Sequence, residues 1–290
     1  MKVTVYTLDS FAKTKEGGNA AGVVLEAEAL AEKDMQRVAA ILGFSETAFV
    51  LPSDEADFRV RFFTPTEEVD LCGHATIATF FAMAELGRLA PGSYTQETKA
   101  GILGITIQED HSVMMEQPIP SFTEIIEKEE IAASLHIPIG HIVQELPVQI
   151  VSTGLRDIMV PIVNRKCLYG IQPDMDHVKE ISRKYKAVGY HVFTLDTLYQ
   201  STAHCRNFAP LYDIPEEAAT GTSNGALGCY LYQYGKVTKE QASDLIFEQG
   251  YSMQKPSEIR VSLGIEDSAI TKVRVGGIAR NIVKRELELS

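Results

Sequence analysis

Two stretches of this 290-residue chain, His74–Leu86 (HATIATFFAMAEL) and Ser223–Tyr234 (SNGALGCYLYQY), are apolar nearly all the way round a helix. A helix with no polar face to give to water has to be enclosed by other elements. The rest of the pattern supplies that enclosure. Short alternating runs recur at Val3–Leu8, Ala48–Leu51, Phe58–Phe63, Gly104–Ile107, Val148–Ser152, Ile158–Val163, His191–Leu195, Ile259–Leu263 and Lys272–Val275. Each is bounded by Gly, Pro, Ser or Asp, as strands are. Amphipathic helices are fewer: Ala31–Leu42, with Met35, Val38, Ala39 and Leu42 at helical spacing and a stop at Gly43, and Met175–Tyr185. Many strands with a few enclosed helices imply an α+β fold in which sheets wrap around central helices.

The two apolar helices also mark an internal repeat. Phe63-Thr64-Pro65, Glu68 and Cys72-Gly73-His74 lead into the first; Phe208-Ala209-Pro210, Glu217 and Thr220-Gly221-Thr222 lead into the second. The Phe-x-Pro elements lie 145 residues apart and the glycine turns 148 apart, both close to half the chain. Two similar domains are expected, 1–117 and 118–275, meeting where Gln117-Pro118-Ile119-Pro120 interrupts the strand pattern. The C-terminal segment 276–290 is expected to pack on the first.

Composition narrows the function. At 45% hydrophobic and 23% charged residues the chain can bury a large core. Its net charge of −12 argues against a general nucleic-acid surface, which rewards clustered Lys and Arg. No run of about 18 apolar residues could span a bilayer, and Met1–Tyr6 alternates like a strand rather than forming a signal core. A cytoplasmic protein without a membrane partner is expected. The four cysteines, Cys72, Cys167, Cys205 and Cys229, lack CxxC spacing and read as reduced thiols, at least three of them buried. The seven histidines show no HxxxH spacing, so no metal site is expected; His136 and His141 flank Pro138 as loop residues.

Candidate chemistry gathers at the starts of the two apolar helices. A glycine turn into a buried helix leaves backbone N–H groups that attract an anion without any basic side chain. The amides of Gly73, His74, Gly221 and Thr222 would hold a small carboxylate in this way, which reconciles anion binding with an acidic chain; these glycines can equally serve only tight turns. Glu46, within Gly43-Phe44-Ser45-Glu46-Thr47-Ala48-Phe49-Val50, has apolar company of the kind that tunes a carboxyl for taking and returning protons. From the residues alone, a strand carboxylate facing solvent is the commoner case. His74 reads as a neutral proton carrier or hydrogen-bond donor, or as a helix-start residue with a satisfied ring. Cys72 reads as a nucleophile or proton-abstracting thiolate, or as core filler. Gly17-Gly18-Asn19-Ala20-Ala21-Gly22 is neither a phosphate loop nor a dinucleotide fingerprint, and on its own reads as a hairpin turn.

Taken in order along the chain, these landmarks resemble the PhzF-like family, named for a phenazine-biosynthesis isomerase and related to diaminopimelate epimerase and proline racemase. The landmarks are Asp9-Ser10-Phe11, Gly18-Asn19-Ala20-Ala21-Gly22-Val23-Val24, Ser45-Glu46-Thr47-Ala48-Phe49, Phe62-Phe63-Thr64-Pro65, Leu71-Cys72-Gly73-His74-Ala75-Thr76, Ala219-Thr220-Gly221-Thr222 and Glu248-Gln249-Gly250. The resemblance implies two homologous domains, each a curved, barrel-like mixed sheet around a central helix, with the active site in the cleft between them. It also implies a homodimer and no cofactor. The family's catalytic Glu falls on Glu46, its assisting His on His74 and its glycine-loop Asn on Asn19.

The departures carry information too. The related two-cysteine racemases take one thiol from each half, but here Cys72 has Thr220 as its repeat partner, and a hydroxyl is far too weak an acid for that role. The family's Glu-Asp-Pro-Ala-Thr-Gly-Ser reads Glu216-Glu217-Ala218-Ala219-Thr220-Gly221-Thr222, so Glu217 replaces the Asp and Thr222 the Ser. The glycine-loop Pro is Ala20, and Gly-Arg-Pro-Ser reads Gln254-Lys255-Pro256-Ser257. The expected activity is a proton-shifting isomerisation of a small carboxylate. Glu46, His74 and Glu217 are its catalytic groups, and Asn19, Cys72, Gly73, Gly221 and Thr222 bind the substrate. A Cys72-assisted amino-acid racemase and a non-catalytic binding protein on the same fold are the alternatives.

Overall fold

The computed structural model describes residues 1–289 and divides them into two compact units, Met1–Glu116 with the C-terminal segment from Gly276, and Gln117–Val275. In chain order the first unit contributes β1 (Lys2–Ser10), β2 (Asn19–Val24), α1 (Glu32–Leu42), β3 (Thr47–Leu51), β4 (Phe58–Phe63), β5 (Glu68–Val69), α2 (Gly73–Glu85), β6 (Gly92–Thr98), β7 (Gly101–Ile107) and β8 (Val113–Gln117). The second follows with β9 (Ser121–Ile126), α3 (Lys128–Ser134), β10 (Val148–Ser152), β11 (Arg156–Pro161), α4 (Arg165–Tyr169), α5 (Met175–Tyr185), β12 (Gly189–Thr194) and β13 (Ala203–Ala209). It continues through β14 (Ile214–Glu217), α6 (Gly221–Gln233), β15 (Leu245–Gln249), β16 (Ser257–Glu266) and β17 (Ala269–Gly277), and β18 (Ala279–Glu288) returns to the first unit. The fold is mixed α+β. Among the described residues no helix is long and apolar enough to cross a membrane.

Within the first unit, β1 pairs antiparallel with β18 and β2, β2 runs parallel to β3, and β3 pairs antiparallel with β4. β4 then takes β5 antiparallel at one end and β6 parallel at the other, and β6–β7–β8 finish antiparallel. The second unit runs through a matching succession by itself. β10 pairs antiparallel with β9 and β11, β11 runs parallel to β12, and β12 pairs antiparallel with β13. β13 takes β14 antiparallel and β15 parallel, and β15 pairs antiparallel with β16.

Strand alternation decides which face each residue serves. In the first unit Leu8, Val23, Ala48, Val50 and Phe62 join Ala75, Ala78 and Ala82 of α2 in one cluster. Their neighbours Val5, Val24, Phe49 and Phe63 join Met35, Val38 and Ala39 of α1 in another. The sheet is therefore apolar on both faces. Ten of the thirteen residues of α2 are buried, and its alanines let the strands approach closely. Its buried threonines stay satisfied by donating back along the helix, Thr76 Oγ1 to Cys72 O at 2.8 Å and Thr79 Oγ1 to Ala75 O at 2.7 Å. In the second unit α3 and α5 cover the β10–β11–β12 face through Ile131, Val178 and Ile181, and α6 packs against β10, β11, β12 and β16.

One sequence reading is corrected here. The glycine segment 17–22 is not a hairpin turn throughout: from Asn19 onward it is β2, antiparallel to β1 with Asn19 opposite Ser10. The turn ends at Gly18, whose φ of +89° and close approach to Ser10 O leave no room for a side chain.

Candidate active site

Helix starts differ across this molecule in a way that bears on anion binding. α4 and α5 are capped by side chains, Asn164 accepting from the Cys167 amide and Asp174 from the His177 amide. α2 and α6 have no side-chain cap and no acidic residue in the first turn. Intrahelical pairing in α2 begins with Thr76 N–H onto Cys72 O at 3.0 Å, which leaves the Gly73, His74 and Ala75 amides without partners inside the helix. These amides and the positive end of the helix dipole suit a carboxylate.

Around the α2 start the fold gathers five of the expected site residues, Asn19, Glu46, Cys72, Gly73 and His74. Ser10, buried on β1, donates to His74 O at 2.6 Å and pins the first turn. Glu46 directly precedes β3, and its carbonyl accepts from Gly22 N–H of β2 at 3.3 Å. The buried His74 ring is the hub. Its Nδ1 lies 3.5 Å from Asn19 Nδ2 and 3.3 Å from Cys72 Sγ. Its Nε2 lies 3.3 Å from Ser45 Oγ and 3.3 Å from Glu46 Oε2. With Asn19 donating to Nδ1, Nε2 is the ring nitrogen left to donate, and it faces Ser45 and Glu46.

The Glu46 carboxylate is only partly enclosed, with 22% of the side chain exposed, but Oε2 itself is buried and makes no hydrogen bond. The 3.3 Å approach of His74 Nε2 is within ion-pair reach, yet its angle is wrong for a hydrogen bond. Oε2 is thus a buried carboxylate oxygen without a hydrogen-bond donor, beside the start of α2. The donor atoms of Glu46, Cys72 and His74 all lie within 4.8 Å of one another and could hold a metal ion, a set the sequence spacing hid because the fold assembles it.

Glu217, Gly221 and Thr222 belong to a second cluster, within the second unit. Thr220 Oγ1 donates to Glu217 Oε2 at 2.6 Å and accepts from Gln249 Nε2 at 3.0 Å. Gln249 Oε1 receives the Thr220 amide at 3.2 Å and Asn224 Nδ2 at 2.8 Å. From Asn224 the chain of bonds passes inward. His191 Nε2 meets Asn224 Oδ1 at 3.2 Å, Asn207 Nδ2 meets His191 Nδ1 at 3.1 Å and Ser223 Oγ at 3.2 Å, and Ser223 Oγ donates to Asp157 Oδ2 at 2.8 Å. Because Asn224 spends its N–H groups on Thr220 O and Gln249, its oxygen accepts, so His191 carries its proton on Nε2. Burial keeps this imidazole neutral, lowering its pKa to about 4. Burial likewise raises the Asp157 carboxyl to about 7; the Ser223 hydrogen bond opposes the shift and the charge of Glu217 adds to it.

Asp157, His191, Asn224 and Gln249 were missed as site residues. Gln249 had a signal in the Glu-Gln-Gly landmark, and Asp157 stands as a lone acid at the mouth of an apolar strand. His191 and Asn224 lie in runs whose apolar character masked them. Gln249 is seated by its neighbour Glu248, whose carboxylate takes His204 Nδ1 at 2.6 Å and the amides of Leu198 and Tyr199. Burial pushes the Glu248 carboxyl up, but these donors and Ser201 outweigh it and hold it at about 2.

Comparisons with known proteins agree with one another. The family model described as phenazine biosynthesis-like protein matches residues 8–285. An uncharacterized isomerase of Clostridium acetobutylicum is 35% identical, over 100% of this chain and 99% of its own length. The uncharacterized isomerase YddE of Escherichia coli K12 is 34% identical over 96% of each chain. Among solved structures, the Bacillus anthracis phenazine biosynthesis protein of the PhzF family superposes with a TM-score of 0.89 at 33% identity, covering 100% of both chains. A hydroxyproline epimerase of Agrobacterium vitis shares the fold, with a TM-score of 0.62 at 14% identity over 98% of this chain and 92% of its own. By sequence and by structure alike, this chain belongs to the phenazine biosynthesis-like (PhzF) family of isomerases.

Proposed function

We propose that this protein moves a proton within a small carboxylate-bearing molecule, with Glu46 taking the proton from a carbon and returning it to another position. The observation that carries this reading is the bare, buried Oε2 of Glu46, 3.3 Å from His74 Nε2 beside the uncapped start of α2. The substrate carboxylate rests on the Gly73 and His74 amides, which withdraw charge from the carbon skeleton and make a nearby C–H acidic. Glu46 removes that proton, and the negative charge spreads toward the carboxylate held on the amides. The same carboxyl then gives the proton back elsewhere on the face it borders. His74 Nε2–H and Ser45 hydrogen-bond the reacting groups, Asn19 holds the ring tautomer, and Cys72 closes the site beside the ring. In the second unit, Gly221 and Thr222 offer amides at the α6 start of the same kind, and Glu217 is the acid that accompanies them.

The test is proton exchange. A panel of small unsaturated and α-amino carboxylates is incubated with the protein in D2O and followed by NMR. The wild type is expected to exchange or relocate a proton on at least one class, and Glu46→Gln to leave it in place. Full exchange by Glu46→Gln removes Glu46 from the role.

A second reading has its own support: Cys72 Sγ lies 3.3 Å from His74 Nδ1, a thiol–imidazole contact that could serve an epimerisation at an amino-acid α-carbon. Deuterium entering both enantiomers of an amino acid, and ceasing in Cys72→Ala, would favour it over the Glu46 mechanism.

A further inference from the structure

We propose that Glu46, Cys72 and His74 form a three-ligand site for a zinc-type divalent cation, and that the bound cation inhibits the protein by occupying the proton carrier. The donors are a thiolate, an imidazole and a carboxylate, a set that suits zinc or cobalt and not magnesium or calcium. Tetrahedral zinc at ordinary Zn–S, Zn–N and Zn–O lengths spaces neighbouring donors about 3.3–3.6 Å apart. Here His74 Nε2 and Glu46 Oε2 are 3.3 Å apart, Cys72 Sγ and Nε2 are 3.9 Å apart, and all three donors fall within 4.8 Å. The imidazole–carboxylate edge of the coordination triangle is already at bonding size; the thiol, 3.3 Å from Nδ1 and 3.9 Å from Nε2, completes it by turning about Cα–Cβ toward Nε2.

Two further observations support the site. Glu46 Oε2 makes no hydrogen bond, so coordination there breaks none. Asn19 lies against Nδ1, on the far side of the ring from Glu46. Coordination needs the Nε2 lone pair, so the ring proton shifts to Nδ1, and the Asn19 amide turns over to accept it through its oxygen. A polar group behind a ligating imidazole is the usual support for such a ligand. The cation displaces the thiol proton of Cys72, and its two charges are then balanced by one thiolate and one carboxylate. No oxidation state changes. The fourth position stays open on the substrate side.

Binding and inhibition are tested separately, because the inhibitory half rests on Glu46 being the proton carrier and the binding half does not. Cobalt(II) is titrated into chelator-treated protein and followed by absorption. One equivalent is expected to give tetrahedral ligand-field bands and a thiolate-to-cobalt charge-transfer band, abolished by zinc and indifferent to magnesium. Cys72→Ser should lose the charge-transfer band and bind cobalt at least ~100-fold more weakly, beyond the cost of removing an outer-shell partner. Cys167→Ser, which alters the half-exposed thiol, should keep both. Glu46→Gln, changed at a partly exposed side chain, gives a second measure that does not depend on Cys72→Ser folding: its thiolate band should persist with affinity lowered at least ~10-fold. No charge-transfer band in the wild type, or one that survives in Cys72→Ser, overturns the metal site and leaves the Glu46 reading standing. If cobalt binds with this signature while proton exchange continues unimpaired in the presence of zinc, the inhibitory role is overturned, and Glu46 with it as the carrier.

Discussion

His74 Nε2 lies 3.3 Å from Glu46 Oε2 without a hydrogen bond between them, although one residue opens a buried helix and the other precedes a strand. The two are brought together by backbone. Gly22 N–H of β2 binds Glu46 O, and Ser10 Oγ of β1 binds His74 O, so neighbouring strands each hold one partner. The carboxylate is thus positioned by the sheet and not by the imidazole. That leaves its Oε2 buried without a hydrogen-bond donor.

Glu46→Gln keeps the shape of the side chain and removes its capacity to carry a proton. Exchange on a reactive carboxylate should fall by ~10²–10⁴-fold, the range for losing a general acid–base group. Glu46→Asp keeps the carboxyl but draws it back by about one bond, and misplacement on the order of 1 Å costs ~10²-fold. Binding of the same carboxylate, measured by calorimetry, should stay within a few-fold in both. A loss of binding that matches the loss of rate would reassign Glu46 from proton transfer to substrate holding.

Ser10→Ala removes the 2.6 Å bond to His74 O from a fully buried position. A net hydrogen bond of this kind contributes about 0.5–1.5 kcal/mol, so chemical denaturation should show a loss of that order. The α2 start is also freed to shift, and exchange should slow more than Tm suggests. A variant as stable and as active as the wild type would show that β1 does not anchor the first turn.

The helical elements were legible because their signals are local. Met35, Val38 and Ala39 are the buried positions of α1, and α1 ends at Gly43 with φ +66°. Met175–Tyr185 is α5 to the residue, and the all-apolar stretches are α2 and α6. The segment at Gly18 was harder, since a glycine-rich run fits a turn and a strand equally well and only β1 pairing selects the strand from Asn19. Residue contacts that depend on tertiary pairing were not legible. Nothing in the sequence spacing says that Cys72, His74 and Glu46 share one small volume, or that Asp157 on β11 meets Ser223 on α6. The motif resemblance identified Glu46 and His74 as a pair, whereas Asp157 and His191 carry no motif and became visible only through their hydrogen bonds.

Gly18→Ala should test the turn that delivers Asn19. Its φ of +89° disfavours any side chain, and an added Cβ would stand 2.7 Å from Ser10 O and 2.9 Å from Ala12 Cβ. Backbone strain of ~1–3 kcal/mol adds to the clash, so a loss of at least ~2 kcal/mol is expected. Gly43→Ala is the control for strain alone: its φ is +66°, with nothing within 4 Å of an added Cβ. It should lose about 1 kcal/mol, the cost of a left-handed non-glycine residue. Equal losses in the two variants would show that the crowding at Ser10 contributes nothing.

Asp157 predicts a pH dependence of stability. Its carboxyl is 1% exposed and titrates near 7 in the folded protein, above the reference of 3.8 that describes it when unfolded. Between those values the folded state holds a proton that the unfolded state has released. Stability therefore falls as pH rises from about 4 to about 7, and the penalty stays at its full size above that. Three pKa units correspond to roughly 4 kcal/mol, an upper figure because local rearrangement will relieve part of it. Asp157→Asn still accepts from Ser223 but has nothing to ionise. Its amide nitrogen replaces an oxygen that has no hydrogen-bond partner, so an offset of about 1–3 kcal/mol independent of pH is expected. The discriminating quantity is therefore the slope: urea denaturation at pH 5 and pH 8 should show the wild type losing stability relative to Asp157→Asn. Glu217→Gln, by removing the charge that adds to the effect of burial on the Asp157 carboxyl, should shift the midpoint of that loss to lower pH. Parallel pH curves for wild type and Asp157→Asn would mean that the buried acid does not titrate in this range.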